Sequence, residues 1–178
     1  MAEPPAASSP TPEPAPDRII AFQGVPGAYS HLACREACPE LEHRACESFE
    51  EAFGAVQEGR AGRAMIPIEN SLAGRVADIH HLIPDSGLYI VGEHFQRVNH
   101  QLLVLPGTAL DDLKLVRSHV QALSQCRDFV RAQGLKPMVH ADTAGAAAEV
   151  AEQGDKSQAV IASALAGEIY GLEILKSD

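Results

Sequence analysis

The stretch LKLVRSHVQALSQCRDFVRA, Leu113 to Ala132, decides the fold class. Leu113 to Val116 is an apolar-rich run of strand length. From Ser118 to Ala132 the spacing becomes helical. Val120, Leu123, Cys126 and Val130 form an apolar stripe, while Gln121, Gln125 and Asp128 share another face. A strand that runs straight into an amphipathic helix is the unit of an α/β protein, and it recurs on both sides. Upstream, Arg18–Gln23 reads as a strand and Ser30–Ala37 as a helix. Leu41–Cys46 follows as a strand, then Ser48–Glu58 as a helix with Ser48 and Glu51 in capping-box spacing. Ala64–Ile68 is a further strand, running into Glu69, Asn70 and Ser71 and then a helix to about Leu82. Downstream, Met138–His140 and Ala159–Ile161 are strands, with helices over Thr143–Glu152 and Ser163–Tyr170. Alternation of this kind predicts mainly parallel sheets covered by helices.

One passage breaks the rhythm. Leu88 to Leu105 holds two extended runs, YIVGEHF and HQLLVL, ended by Pro106 and Gly107. It reads as the crossover between two lobes. The first 17 residues are almost entirely Ala, Pro, Ser and Glu, a composition that cannot offset its ordering entropy, and they are expected to form a disordered tail. They have neither the basic start nor the apolar core of an export signal.

Hydrophobic residues make up 46% of the 178 and charged residues 21%, the balance of a globular chain with no apolar run of membrane length. The formal charge of −10 argues against nucleic acid or an anionic membrane as partner. Four cysteines with no export signal point to reduced thiols in a cytoplasmic protein. Cys34 and Cys38, near His31, match no zinc spacing and read as small buried hydrophobes, so no metal site is expected.

Ligands of open α/β sheets bind beyond the carboxyl ends of the strands. Four such ends carry small or polar residues: Gly24 to Ser30, Asn70 with Ser71, Ser118 with His119, and Asp142 with Thr143. Each is an ordinary helix cap by itself. Four helix N-termini facing one cleft would make an anion site without cationic side chains, which would suit a small anionic ligand in so acidic a chain.

The residues at these ends form longer motifs. FQGVPGAYSH (Phe22 to His31), PIENSLAGRV (Pro67 to Val76), SHVQALSQCR (Ser118 to Arg127) and DTAGAAAEVA (Asp142 to Ala151) resemble, in order, the signatures of prephenate dehydratases. The similarity runs from about Ile19 to Leu175. It implies two α/β lobes with a cleft between them, as in type II periplasmic binding proteins. Residues 18–93 would form the first lobe and 94–163 the second, with 164–178 beginning the return toward the first. The implied reaction is the conversion of prephenate to phenylpyruvate with loss of CO2 and water, a step of phenylalanine biosynthesis that needs no cofactor. Such a site must hold two carboxylates and assist a departing hydroxide, so positioning and fixed dipoles would dominate.

By the same resemblance, Asn70, Ser118 and Gln125 are the candidate catalytic residues, and Gly27, Ala28, Ser71, Thr143 and Ala144 the candidate substrate contacts. Thr143 is expected to cap its helix. Glu69 would organise its loop rather than act as a base, and His119 would be a structural hydrogen-bonder. Val120 stands where the family usually has Pro. Family members continue into an Asn-x-Thr-Arg-Phe segment that this sequence, ending at Asp178, does not contain, so impaired turnover is expected. The family also implies a homodimer. Arogenate dehydratase, and a non-catalytic module that binds a small anion, are the competing functions.

Overall fold

The computed structural model describes residues 14–177, so most of the expected N-terminal tail lies outside the described residues. Strand β1 (Ile19–Gln23) is flanked by β2 (Glu42–Cys46) and β3 (Arg63–Met65), and both pairings are parallel. Four successive residues of β1 are buried, as a strand covered on both faces requires. Ile19 and Ala21 pack with Cys46, Ala52 and Ala55, under helix α2 (Phe49–Gln57). Ile20 and Phe22 pack with Cys34 on the opposite face, under helix α1 (Tyr29–Ala37). Burial pushes the Cys34 thiol up to about 12, with Cys38 adding to the shift, so it behaves as a hydrophobe. Cys46 is buried as well, whereas Cys38 and Cys126 are half-buried.

Helix α2 starts as its capping signal indicates. The Glu51 N–H donates to Ser48 Oγ at 3.2 Å, but the Glu51 carboxylate reaches back to the N–H of Glu47 (2.6 Å) rather than to that of Ser48.

The PIENS region differs from its expected strand-to-helix form. Strands β4 (Glu69–Asn70) and β5 (Gly74–Arg75) make a small antiparallel hairpin, and helix α3 (Ala77–Asp85) begins only after it. Asn70 causes the turn: its Oδ1 accepts from the N–H groups of Leu72 and Ala73, both at 2.9 Å. The crossover differs too. Of the two strands expected over 88–105, only β6 (Gln101–Val104) forms. The YIVGEHF run stays unpaired among the described residues, with Tyr89, Val91 and Phe95 more than 80% exposed. Alternation marks an extended chain, but a strand also needs a neighbour.

The second sheet has the order β10-β6-β9-β7-β8. Its members β7 (Leu115–His119), β8 (Lys136–His140) and β9 (Gln158–Ala162) pair in parallel, β9 at the centre of the sheet and buried throughout. Strand β6 and the edge strand β10 (Glu173–Ser177) run antiparallel to their neighbours. The mainly parallel α/β class is therefore borne out. Strand β10 was missed, because an edge strand exposed on most positions carries little hydrophobic signal.

The helix expected over 118–132 is divided. Ser118 and His119 complete β7, then α4 (Val120–Gln125) and α5 (Arg127–Ala132) follow, separated at Cys126 where ψ is 11°. Leu123 and Val130 enter the core as the stripe implies, but Val120 is 54% exposed. On the other face, helix α6 (Thr143–Gln153) packs Ala144, Ala146, Ala147 and Val150 against Leu103, Val160 and Ala162. Helix α7 (Ala164–Tyr170) extends this core and carries Ser163 as its cap. No helix of the described residues is long and apolar enough to cross a membrane.

Candidate functional site

A cavity of about 390 Å3 lies at the carboxyl ends of β1, β2 and β8. Gln23 to Pro26 line it from the first sheet, Ala45 to Glu47 from the end of β2, and Ala141 with Asp142 from the second sheet. This is the position at which open α/β sheets bind ligands.

The β1–α1 loop is fixed from two sides. On its own side, the Gly27 N–H donates to His31 Nδ1 at 3.0 Å. That bond requires a lone pair on Nδ1, hence a neutral ring. Burial first, then His43 and Arg35, hold His31 below the ordinary histidine pKa and keep it neutral. The ring stacks on Phe22 with centroids 5.0 Å apart and planes 2° from parallel. On the far side, Ser163 Oγ donates to the Gly27 carbonyl at 2.6 Å, and the Tyr170 hydroxyl donates to the Pro26 carbonyl at 2.8 Å. Gly27 has φ +92°, and a Cβ there would lie 2.9 Å from the Cα of Ala166. Ala28 offers no side-chain cap to the first turn of α1.

The His31 contact has a pH consequence. Because its folded pKa is lowered, the unfolded chain binds more protons as pH falls through about 6.5, and stability is lost over that range. His31→Gln, whose carbonyl accepts at any pH, is expected to flatten stability between about pH 7 and 5. Urea unfolding at several pH values measures this. An unchanged pH slope would show that His31 is not the group responsible.

On the second sheet Asp142, not Thr143, caps α6: its carboxylate accepts from the Gly145 N–H, and Thr143 is the first helical residue. This corrects the capping role expected of Thr143. His140 stands behind Asp142, with Nδ1 4.0 Å from its Oδ2 and Nε2 3.3 Å from Glu149 Oε2. Arg117 holds Glu149 at 3.1 Å from beyond it. The cavity wall itself carries two carboxylates, Glu47 and Asp142. The charge of this wall by itself does not favour an anion.

The structure distributes the sequence-derived candidates unevenly. Gly27 and Thr143 directly follow Pro26 and Asp142 of the cavity wall, and Ala28 and Ala144 come one residue later. None of the four is among the lining residues, and Ala144 is buried in the core. Asn70 is half-buried and Ser71 exposed, both on the β4–β5 hairpin and outside the lining. Ser118 is fully buried, and its hydroxyl donates to the Ile161 carbonyl at 2.6 Å, tying β7 to β9. Its hydroxyl is thus spent on the sheet and not presented to the cavity. Gln125 is exposed and bonded to His100 at 2.7 Å. His119 serves as the structural hydrogen-bonder expected of it, accepting from the Gln121 N–H at 3.3 Å. Two of the four junctions thus meet in one cavity. The rule about carboxyl ends of strands also points to Cys46 and Glu47, which the motif reading passed over. No pattern in the sequence marks His100.

Comparison with known proteins accounts for the motifs. The family model for prephenate dehydratase matches residues 20–178. A bifunctional N-acyl-homoserine lactone acylase/prephenate dehydratase of Komagataeibacter europaeus is 54% identical over 160 residues, 90% of this chain and 57% of that protein. Arogenate dehydratase/prephenate dehydratase 6 of Arabidopsis thaliana is 45% identical over 170 residues, 94% of this chain and 41% of that protein. The crystal structure of prephenate dehydratase from Arthrobacter aurescens, in complex with L-Phe, superposes with a TM-score of 0.83 at 27% identity, covering 90% of this chain and 55% of that one. The chain spans about half the length of the curated relatives it matches. With 20–178 matched by one family model and the same α/β architecture in a solved member, this chain belongs to the prephenate dehydratase family.

Proposed function

We propose that this chain binds prephenate in the cavity between its sheets and converts it to phenylpyruvate by loss of CO2 and water, in phenylalanine biosynthesis. The observation that carries this reading is the family match over 20–178 on a fold whose β1–α1 and β8–α6 loops meet around one cavity. The reaction needs carboxylates held in place and hydrogen-bond donors aimed at the departing oxygen. The uncapped first turn of α1 beside Gly27 and Ala28, and the backbone at Thr143 and Ala144, supply N–H groups for a carboxylate. Asn70 and Gln125 contribute side-chain amide donors, with Ser71 beside Asn70. Ser118 takes part by fixing the end of β7, from which His119 and α4 depart.

We assign 18–93 to a first lobe and 94–163 to a second, with 164–178 leading back. Support comes from β1 to β3 lying in the first range, β6 to β9 in the second, and the bonds from Ser163 and Tyr170 to the Gly27 loop. Strand β10 stays with the second sheet. A homodimer in the cytoplasm, acting without metal or cofactor, completes the proposal.

A proton NMR titration of prephenate with the chain tests it. Broadened prephenate signals and phenylpyruvate peaks above the spontaneous rate are expected. Binding without product would leave the non-catalytic module, and a folded chain that leaves prephenate unchanged would overturn the reading. Several relatives named arogenate dehydratase, at 42–45% identity, make arogenate the second substrate to run beside it. The bifunctional Komagataeibacter relative adds an N-acyl-homoserine lactone as a third.

Asn70→Asp separates the turn from the chemistry. Aspartate keeps the acceptor for Leu72 and Ala73 but removes the amide donor and adds a negative charge. The melting temperature is expected to hold while kcat/KM falls about 100-fold or more, the scale of losing one preorganised donor. A variant with near-normal kcat/KM would remove Asn70 from the reaction.

A further inference from the structure

Gln125 ends helix α4 in an exposed position, where a glutamine ordinarily samples many rotamers. Here one atom of it is held. Its Oε1 lies 2.7 Å from His100 Nε2. The Tyr29 hydroxyl lies 3.0 Å from Nδ1 of the same ring and donates to the Asn99 carbonyl at 2.9 Å. The two rings meet edge to face, 5.8 Å apart at 76°. His100 is only 9% exposed, so its ring has no open side into which to turn.

The planarity of the amide turns this into an orientation. With one end of the amide pinned at His100, its plane is set and the other end takes the outer arm of the fork. The three residues come from separate places: Tyr29 opens α1, His100 precedes β6, and Gln125 closes α4. A residue packed on the first sheet thus sets a side chain on the second.

We propose that His100 is a positioning residue, held by Tyr29, that fixes the Gln125 amide so that its other end is presented to the substrate. This rests on the reading of Gln125 as a substrate contact. The relay itself does not, since ordering of the amide is measurable without substrate.

The test uses the full chain with His100→Phe, which keeps a flat ring and loses both nitrogens, and His100→Gln, which restores a hydrogen-bonding side chain. In 15N-labelled protein, the Gln125 side-chain amide, assigned by its loss in Gln125→Ala, is expected to be rigid in the parent and mobile in His100→Phe. Prephenate affinity by NMR titration, and kcat/KM, are expected to fall about 10- to 100-fold in His100→Phe, the scale of a misplaced group. His100→Gln is expected to recover part of both. Introduced into Gln125→Ala, His100→Phe is expected to have no further effect. An amide already mobile in the parent, or still rigid in His100→Phe, overturns the positioning. A loss that persists in full in the Gln125→Ala background also overturns it, since the histidine would then act on the fold. A loosened amide combined with normal prephenate affinity and turnover in Gln125→Ala instead overturns the reading of Gln125 as a substrate contact, and leaves the relay standing.

Discussion

Gly27→Ala is expected to destabilise the chain by about 3 kcal/mol or more, because backbone strain and crowding act together. The residue sits at φ +92°, where a side chain is strained whatever the space around it. Its Cβ would also meet Ala166 at 2.9 Å from Cα and 3.0 Å from Cβ. Backbone on both sides leaves no flexible group to yield. Relief would require α7 to move off the loop, which would lengthen the bonds from Ser163 to Gly27 and from Tyr170 to Pro26. For a chain of this size the midpoint should fall by about 6–12 °C. Prephenate binding should weaken along with it, since the loop lines the cavity. A melting temperature within about 2 °C of the parent would mean that the loop and α7 do not bear on one another as described.

The second large effect is expected at Leu103→Ala. Leu103 is fully buried on β6 and packs into the core shared by α6 and α7. Gly167 of α7 lies so close that a Cβ there would be 3.1 Å from Leu103 Cδ2. Truncation removes the methyl groups and leaves a void between an interior strand and a helix tied to the β1–α1 loop. A site that cannot collapse belongs at the costly end of the leucine-to-alanine range, about 2–5 kcal/mol. Chemical denaturation with an unchanged m-value measures it. A cost below about 1 kcal/mol would show that α7 settles freely into the space. Because Gly27 and Leu103 press on adjacent residues of α7, Ala166 and Gly167, the double variant is expected to be less damaging than the sum of the two.

These sites show what the sequence made legible. Buried parallel strands announced themselves: the RIIAFQ run has no polar alternation, and β1 is buried for four residues in succession. The caps Ser48, Asp142 and Ser163 stand where their residue types belong, each accepting an N–H three residues on. The misreadings share one cause, namely interactions between distant parts of the chain. Ser118 looks like a helix start, yet β7 carries on through it because its hydroxyl finds Ile161, 43 residues later. Asn70 resembles a helix cap as well, and only the Gly74 turn shows that its side chain closes a hairpin instead. Strand β10 and His100 depend wholly on partners remote in sequence. Two of the four motif loops line the cavity, but spacing alone does not say which of them share a wall.

The bonds from α7 to the β1–α1 loop also set an order of events in folding. Ser163 is 136 residues from Gly27, and Tyr170 is 144 from Pro26. Contacts this far apart close late, because the entropy of the intervening loop is spent before they return anything. During synthesis, β1 and α1 emerge well before α7, and their loop acquires these neighbours only after the 136 residues from Gly27 to Ser163 have followed. The first sheet can therefore form early, whereas the cavity wall is finished only once α7 has docked.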